Sequence, residues 1–306
     1  MMGARLVQGL LERGFVVRCL VLPNDPGRGG LEALGCELRE GDISDASSLA
    51  GLCADVATVY HLAAIILSHD PSVFARVNRD GTLHLLNEAR AAGVRHFIYV
   101  SSASVTYPRR TPYAESKWQA ERMVASESSF QTTIVRPTLV YDRSGGQEFL
   151  IFERHLRRFP IVPFIGRGNA LKRPVWAGDI VNGLLRLAEN PVSYGKLYNF
   201  SGAESISIRE LAHLILARRG ADRPFLHVPV FVFRALAFLL ERSMKRPPLT
   251  ASAIAGIVND ADLDPELAMR ELGYQPLGVY AGFEHCFPKV TSASPLAGAL
   301  SRGSSS

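Results

Sequence analysis

The stretch His96–Lys117, HFIYVSSASVTYPRRTPYAESK, decides the fold. It opens on an unbroken apolar run, ends that run in two serines, turns, and starts again at Thr111-Pro112, where threonine suits a helix cap and proline its first turn. An apolar run without alternation is the pattern of a strand covered on both faces, as in a parallel sheet whose crossovers are helices. Working outward, the same unit repeats. Leu6, Val7, Leu10 and Leu11 mark one face of a helix that stops at Gly14. Strands are predicted over 15–22, 36–40, 56–62, 96–101 and 132–135, and helices over 72–92 and 112–126. The fold class is therefore α/β, a doubly wound parallel sheet.

After Pro137 the rhythm changes. Residues 144–174 are rich in Gly, Arg and Pro; a helix is expected near Asp179 and a strand near Leu197, then helices over 207–219, 229–243 and 264–272. The organisation expected is a sheet domain over 1–143, with 175–202 returning to it. A smaller, mostly helical substrate lobe follows over 144–290, and a Ser/Gly-rich disordered tail over 291–306. The apolar run Val228–Leu240, followed by Arg242, Lys245 and Arg246, reads as the lobe's core helix with a basic C-terminal end rather than as a membrane-surface helix.

A chain of 306 residues with 47% hydrophobic and 21% charged content can bury a large core, which excludes wholesale disorder. No uncharged apolar stretch is long enough for a membrane span, and Arg5, Glu12, Arg13 and Arg18 interrupt the first segment, so a signal peptide is not expected and a cytoplasmic location is. Cys19, Cys36, Cys53 and Cys286 form no C-x-x-C pair and no spacing with histidine that suits a metal; they read as reduced and mostly buried. The formal charge of +5 is mild and the basic clusters are scattered, which favours anionic small molecules over nucleic acid.

Tyr113 and Lys117 are four apart and share a helix face. A free phenol titrates near pH 10, too high for a base at neutral pH, and a neighbouring ammonium favours its ionised form. Ser102 ends a strand at the carboxyl edge of the sheet, where such folds bind ligands, and can donate to a substrate oxygen while the tyrosine moves a proton. The competing reading is that Ser101 and Ser102 satisfy turn backbone groups.

In this order and spacing, several pieces resemble the extended short-chain dehydrogenase/reductases, in their NAD-dependent epimerase/dehydratase branch, over residues 3–285. They are Gly41-Asp42-Ile43, Val59-Tyr60-His61-Leu62-Ala63-Ala64, Val77-Asn78 with Gly81-Thr82, the Ser102/Tyr113/Lys117 set, Arg136-Pro137-Thr138 and Leu272-Gly273-Tyr274-Gln275-Pro276. The resemblance implies a Rossmann-like domain and puts the catalytic roles on Ser102, Tyr113 and Lys117. It places Asp42 and Ile43 at the adenine, Leu62, Ala63 and Ala64 along the cofactor, Asn78 under that loop, and Pro137 and Thr138 beside the nicotinamide. Asp42 also reads as a turn cap, Asn78 as an internal helix polar and His61 as a satisfied strand-end histidine.

The family opens on a strand running into three spaced glycines. Here Gly3 fits the third, the first strand is expected to be missing from its central place between the second and fourth, and a late-starting form of the chain is the expectation. At the end of the second strand Leu22 and Pro23 are neither acidic nor basic, Asp25 comes late and Arg28 later; NAD is favoured, with NADP open. Lys172 and Arg173 stand where a basic residue holds the diphosphate in relatives using nucleotide sugars, though Trp176 and Gly178-Asp179 depart from the usual pattern. The first expectation is an epimerase or dehydratase of a nucleotide sugar. The second is a hydroxysteroid- or dihydroflavonol-type dehydrogenase or reductase, and the third a non-catalytic NAD(P)-binding protein. No metal is expected. A homodimer through 72–92 and 112–128 is what the resemblance implies.

Overall fold

The computed structural model of the protein describes residues 2–143, 146–218, 220–244, 247 and 249–287. In chain order the elements are α1 (Met2–Glu12), β1 (Arg18–Val21), α2 (Arg28–Ala33), β2 (Glu37–Glu40), β3 (Thr58–His61), α3 (Pro71–Phe74), α4 (Gly81–Ala91), β4 (His96–Val100), α5 (Pro112–Ala125), β5 (Gln131–Pro137) and β6 (Val140–Tyr141). There follow α6 (Gln147–Arg158), β7 (Val162–Ile165), β8 (Leu171–Lys172), β9 (Val175–Trp176), α7 (Ala177–Leu185), β10 (Lys196–Phe200), β11 (Ile206–Ser207) and α8 (Ile208–Arg218). The chain continues with β12 (Phe225–Val228), α9 (Val230–Ser243), α10 (Ala251–Val258), α11 (Glu266–Leu272) and α12 (Val279–Cys286).

A parallel sheet in the order β10-β5-β4-β3 forms the centre. Every residue of β4 is buried, and the period of two splits them between faces. Ile98 and Val100 pack with α1 (Leu6, Leu10), α7 (Ile180, Leu184) and α11 (Ala268, Leu272). Phe97 and Tyr99 pack with α4 (Leu85, Ala89) and α5 (Ala120, Val124). Helices on both faces make the sheet doubly wound, as the apolar runs predict.

β1 and β2 pair with each other in parallel but with no other strand. β2 is largely exposed, while Leu20 of β1 packs against the same core as Val59 of β3. The break falls between the second and fourth strands of the expected order. β1 is shorter than the predicted 15–22; its ladder to the four-residue β2 covers Arg18–Val21, while Phe15 and Val17 pack against the core of α1, β4 and α7.

Two further readings need correction. The helix predicted over 72–92 is continuous but changes gauge, with Ala75–Asp80 winding as a π-helix between α3 and α4. The wide turn brings Asn78 inward, where its amide finds polar partners. The second correction concerns α9. It is not a core helix: only Phe233 and Ala237 are buried, against Ile165 and Ile254, and the remainder of its apolar residues face outward or are half-covered.

The sequence reading did not anticipate α6, α10 or α12. In α6 and α12 apolar residues at helical spacing, Phe149/Phe152/Leu156 and Val279/Phe283, build a further apolar core with Leu211 and Ile215 of α8. Gly282 is required there, because a Cβ would lie 1.8 Å from the Tyr141 hydroxyl. Two cysteines, Cys53 and Cys286, are buried and Cys19 and Cys36 half-buried; all four are free. The tail expected to be disordered from Thr291 lies outside the described residues.

Candidate active site

The carboxyl ends of β3, β4 and β5 meet the start of α5. β4 delivers Ser101 and Ser102 in succession, and alternation sends them to different work. Ser101 is buried and donates to Glu121 at 2.6 Å, and Glu121 in turn holds Arg136, so Ser101 locks α5 onto β5. The Ser102 hydroxyl caps the following turn, accepting from Ser104 N at 3.2 Å, and it also pairs with the Ser104 hydroxyl at 2.9 Å; its nearness to the Tyr113 phenol favours the ionised tyrosine. Of the two readings of Ser102, the hydrogen bonds show the turn cap.

Thr111 caps α5 by accepting from Ala114 N at 3.2 Å, with Pro112 in the first turn, and this sets Tyr113, half-buried, in the same turn. Burial and the charge of Glu148 push the phenol above its ordinary value, with the nearby Ser102 hydroxyl opposing. Lys117, one turn on, is 1% exposed. Its ammonium donates to the Val100 carbonyl at 2.7 Å and lies 4.2 Å from the centre of the Tyr99 ring. Burial lowers its pKa to about 7, with Glu121 opposing. Lysine and tyrosine share a helix face as the spacing predicts, but the lysine's hydrogen bond goes to the strand.

Asn78 clamps the loop after β3. Its side-chain oxygen accepts from Ile65 N at 2.8 Å, and its amide donates to Ile65 O and to the Ser116 hydroxyl, each at 3.0 Å. Because Ser116 sits on α5, one side chain couples the Leu62–Ile65 loop to the helix bearing Tyr113 and Lys117. His61 is buried and bonded to Thr82 at 2.9 Å, and burial lowers its pKa to about 3, so it is a neutral, satisfied histidine.

Asp42 accepts from Ser44 N and Ser44 Oγ, both at 2.8 Å, which is the turn-capping role; Ile43 is buried in the core. Leu62 and Ala64 are half-buried and Ala63 exposed, leaving the strand end open to a ligand. Gly3 is exposed in the first turn of α1, with nothing within 4 Å of where a Cβ would stand, so bare backbone is presented at a helix N-terminus. These features fit a dinucleotide laid along the carboxyl edge. Pro137 and Thr138 are buried, and the Thr138 hydroxyl donates to the Arg173 carbonyl.

Lys172 and Arg173 face inward rather than into open solvent. Lys172 is 2% exposed and donates to the Asn259 carbonyl; burial lowers its pKa to about 8. Arg173 pairs with Asp262 at 2.5 Å and donates to the Ala203 carbonyl at 3.0 Å. Trp176 donates to Asp142 at 3.1 Å, and Asp142 also holds Arg5 of α1. Asp179 accepts from Leu277 N at 2.9 Å.

Sequence reasoning missed Glu148. It lies in the first turn of α6, recessed but open to solvent; burial raises its pKa, and its charge acts on Tyr113, Tyr107 and Lys172. An acid in a first helical turn signals only a match to the helix dipole, and nothing local reveals a tyrosine thirty-five positions earlier. Among the described residues no group of three or more His, Cys, Asp or Glu stands close enough to hold a metal.

Known proteins resemble the chain in sequence and in fold. The chain is 28% identical to the 3 beta-hydroxysteroid dehydrogenase/Delta 5-->4-isomerase of Mycobacterium tuberculosis, over 95% of this chain and 88% of that one. It is 26% identical to the sterol-4-alpha-carboxylate 3-dehydrogenase, decarboxylating, of Mus musculus, covering 90% and 84%. Its fold matches that of DesIV, the dTDP-glucose 4,6-dehydratase of Streptomyces venezuelae solved with NAD and TYD, at a TM-score of 0.70 and 23% identity, covering 94% and 92%. The profile of the NAD dependent epimerase/dehydratase family matches residues 1–200, which hold the whole central sheet, the Ser102/Tyr113/Lys117 set and the Asn78 clamp, and the chain belongs to that family.

Proposed function

We propose that this NAD(P)-dependent enzyme exchanges a hydride with a hydroxyl or ketone carbon of an apolar, sterol-like substrate. The observation that carries the reading is the fate of Lys172 and Arg173: both are engaged by carbonyls or a carboxylate of the chain itself, so the cations a nucleotide sugar's diphosphate needs are already spent. The named activities of the hydroxysteroid and sterol relatives support the same class. NAD is favoured over NADP, because Arg28, the nearby cation, is tied to Glu32 at 2.9 Å and Glu40 at 2.7 Å. A homodimer through α4 and α5 belongs to this reading, with Leu83 exposed on that face.

The nicotinamide, when bound, supplies the hydride acceptor or donor. Gly3, Asp42, Ile43 and Leu62–Ala64 would line its course, with Asn78 fixing the loop and Pro137 and Thr138 closing the far side. In the reducing direction the Tyr113 phenol, kept protonated by burial and the charge of Glu148, gives its proton to the substrate's carbonyl oxygen while Ser102 Oγ donates a hydrogen bond to the same oxygen. In oxidation it is the Tyr113 phenolate that takes the proton from the substrate hydroxyl. Lys117 holds the Val100 carbonyl and so fixes the strand end from which Ser102 springs.

The test offers the purified chain a 3β-hydroxysteroid or UDP-glucose, with NAD or NADP. A net change in nicotinamide absorbance with the steroid alone is expected. Conversion of the nucleotide sugar without net absorbance change would overturn the substrate class. Tyr113→Phe should abolish turnover and leave cofactor affinity within a few-fold; full activity would remove Tyr113 from the mechanism.

A further inference from the structure

We propose that the outward face of α9 docks the protein on an anionic lipid surface. The inference does not rest on the substrate class above. Phe231 is 71% exposed, Leu239 62% and Phe238 52%, and Val232 and Leu236 are exposed beside them. Positions 231, 235, 238, 239 and 242 follow the 3.6-residue period, so Phe231, Ala235, Phe238, Leu239 and Arg242 form one stripe. The helix is anchored from behind by Phe233 and Ala237 against Ile165 and Ile254. Leu226 of β12, before the helix, and Met244, after it, are also exposed. An exposed patch built of large aromatic and aliphatic side chains is unusual on a soluble surface and marks an interaction site.

Charge identifies the occupant. Between Val230 and Arg246 the chain carries Arg234, Arg242, Lys245 and Arg246 against Glu241 alone. The Arg242 guanidinium lies 3.9 Å from the centre of the Phe238 ring, which puts a cation directly beside the exposed apolar side chains, the pairing an interfacial helix offers to lipid headgroups. A second copy would bring the same excess of cations face to face, within a chain of net charge +5. An anionic bilayer matches both halves, apolar centre and basic rim. α9 has 14 residues, short of the ~20 needed to span the hydrocarbon, so it lies in the plane of the interface.

The experiment sediments the full chain with vesicles of phosphatidylcholine alone or with phosphatidylglycerol. Binding is expected to the vesicles containing phosphatidylglycerol, weakened by salt. It should fall at least ~10-fold in Phe231→Ser/Phe238→Ser and also in Arg242→Glu, with the melting temperature and far-UV spectrum unchanged. No binding, equal binding to both vesicle types, or binding indifferent to these substitutions would each overturn the proposal. So would a concentration-dependent dimer that the same substitutions dissolve in a chain that ignores vesicles; the face would then be an interface between copies.

Discussion

Lys117 shows what the site asks of a single residue. Its folded pKa of about 7 lies below its ordinary 10.5, so between those values the unfolded chain binds the proton and the folded chain does not. Stability therefore rises with pH across that window, and the cost of burying the ammonium is fully present below about pH 7. Lys117→Met removes this dependence: relative to wild type the variant should lose ground steadily from pH 7 to 10.5 in urea unfolding. A difference that stays flat would mean the lysine is not desolvated. Ser102, Tyr113 and Lys117 were legible because they sit within sixteen consecutive residues whose spacing fixes their helix face. The lysine's bond to Val100 was not, since no pattern shows which carbonyl a long side chain will reach. Lys172 and Arg173 show the same limit from the other side: charge is visible in sequence, but the partners that consume it, Asn259 and Asp262, lie almost ninety positions away.

The run from α3 through the π-turn to α4 carries the argument at the scale of elements. Its apolar period made a helix over 72–92 legible; the one widened turn was not, because the gain that maintains it is a set of contacts to Ile65 and Ser116. Asn78→Ala would leave the Ile65 N–H and C=O without that partner, at a cost of about 1–3 kcal/mol. Thermal unfolding should register the loss, and titration should show weakened cofactor binding, with the loop no longer held. Unchanged affinity would separate the clamp from the nucleotide site. The burial of α9 was misread for a related reason: fourteen apolar-rich residues look alike in sequence whether they face a core or a solvent boundary.

For the molecule as a whole, the parallel sheet and its two helical layers follow from unbroken apolar runs, and the split between β1 and β3 falls where the missing strand was expected. A two-stranded ribbon is marginal alone, so β1 and β2 should open more readily than the fully buried β4. In hydrogen exchange, amides of 18–21 and 37–40 are expected to exchange on the order of 100-fold faster than those of 96–100. Equal protection would make the sheet one cooperative unit. The packing of α1 has a consequence for synthesis. Leu6 and Leu10 find their partners on α7, and Gly9 abuts Leu185. Those partners leave the ribosome about 170 residues later, a wait of roughly 10–35 s at typical elongation rates. Until then the β4 side chains Ile98 and Val100, which emerge about 90 residues after the helix, can cover only part of its apolar stripe, so the first helix is left half-covered on the nascent chain as a target for chaperones.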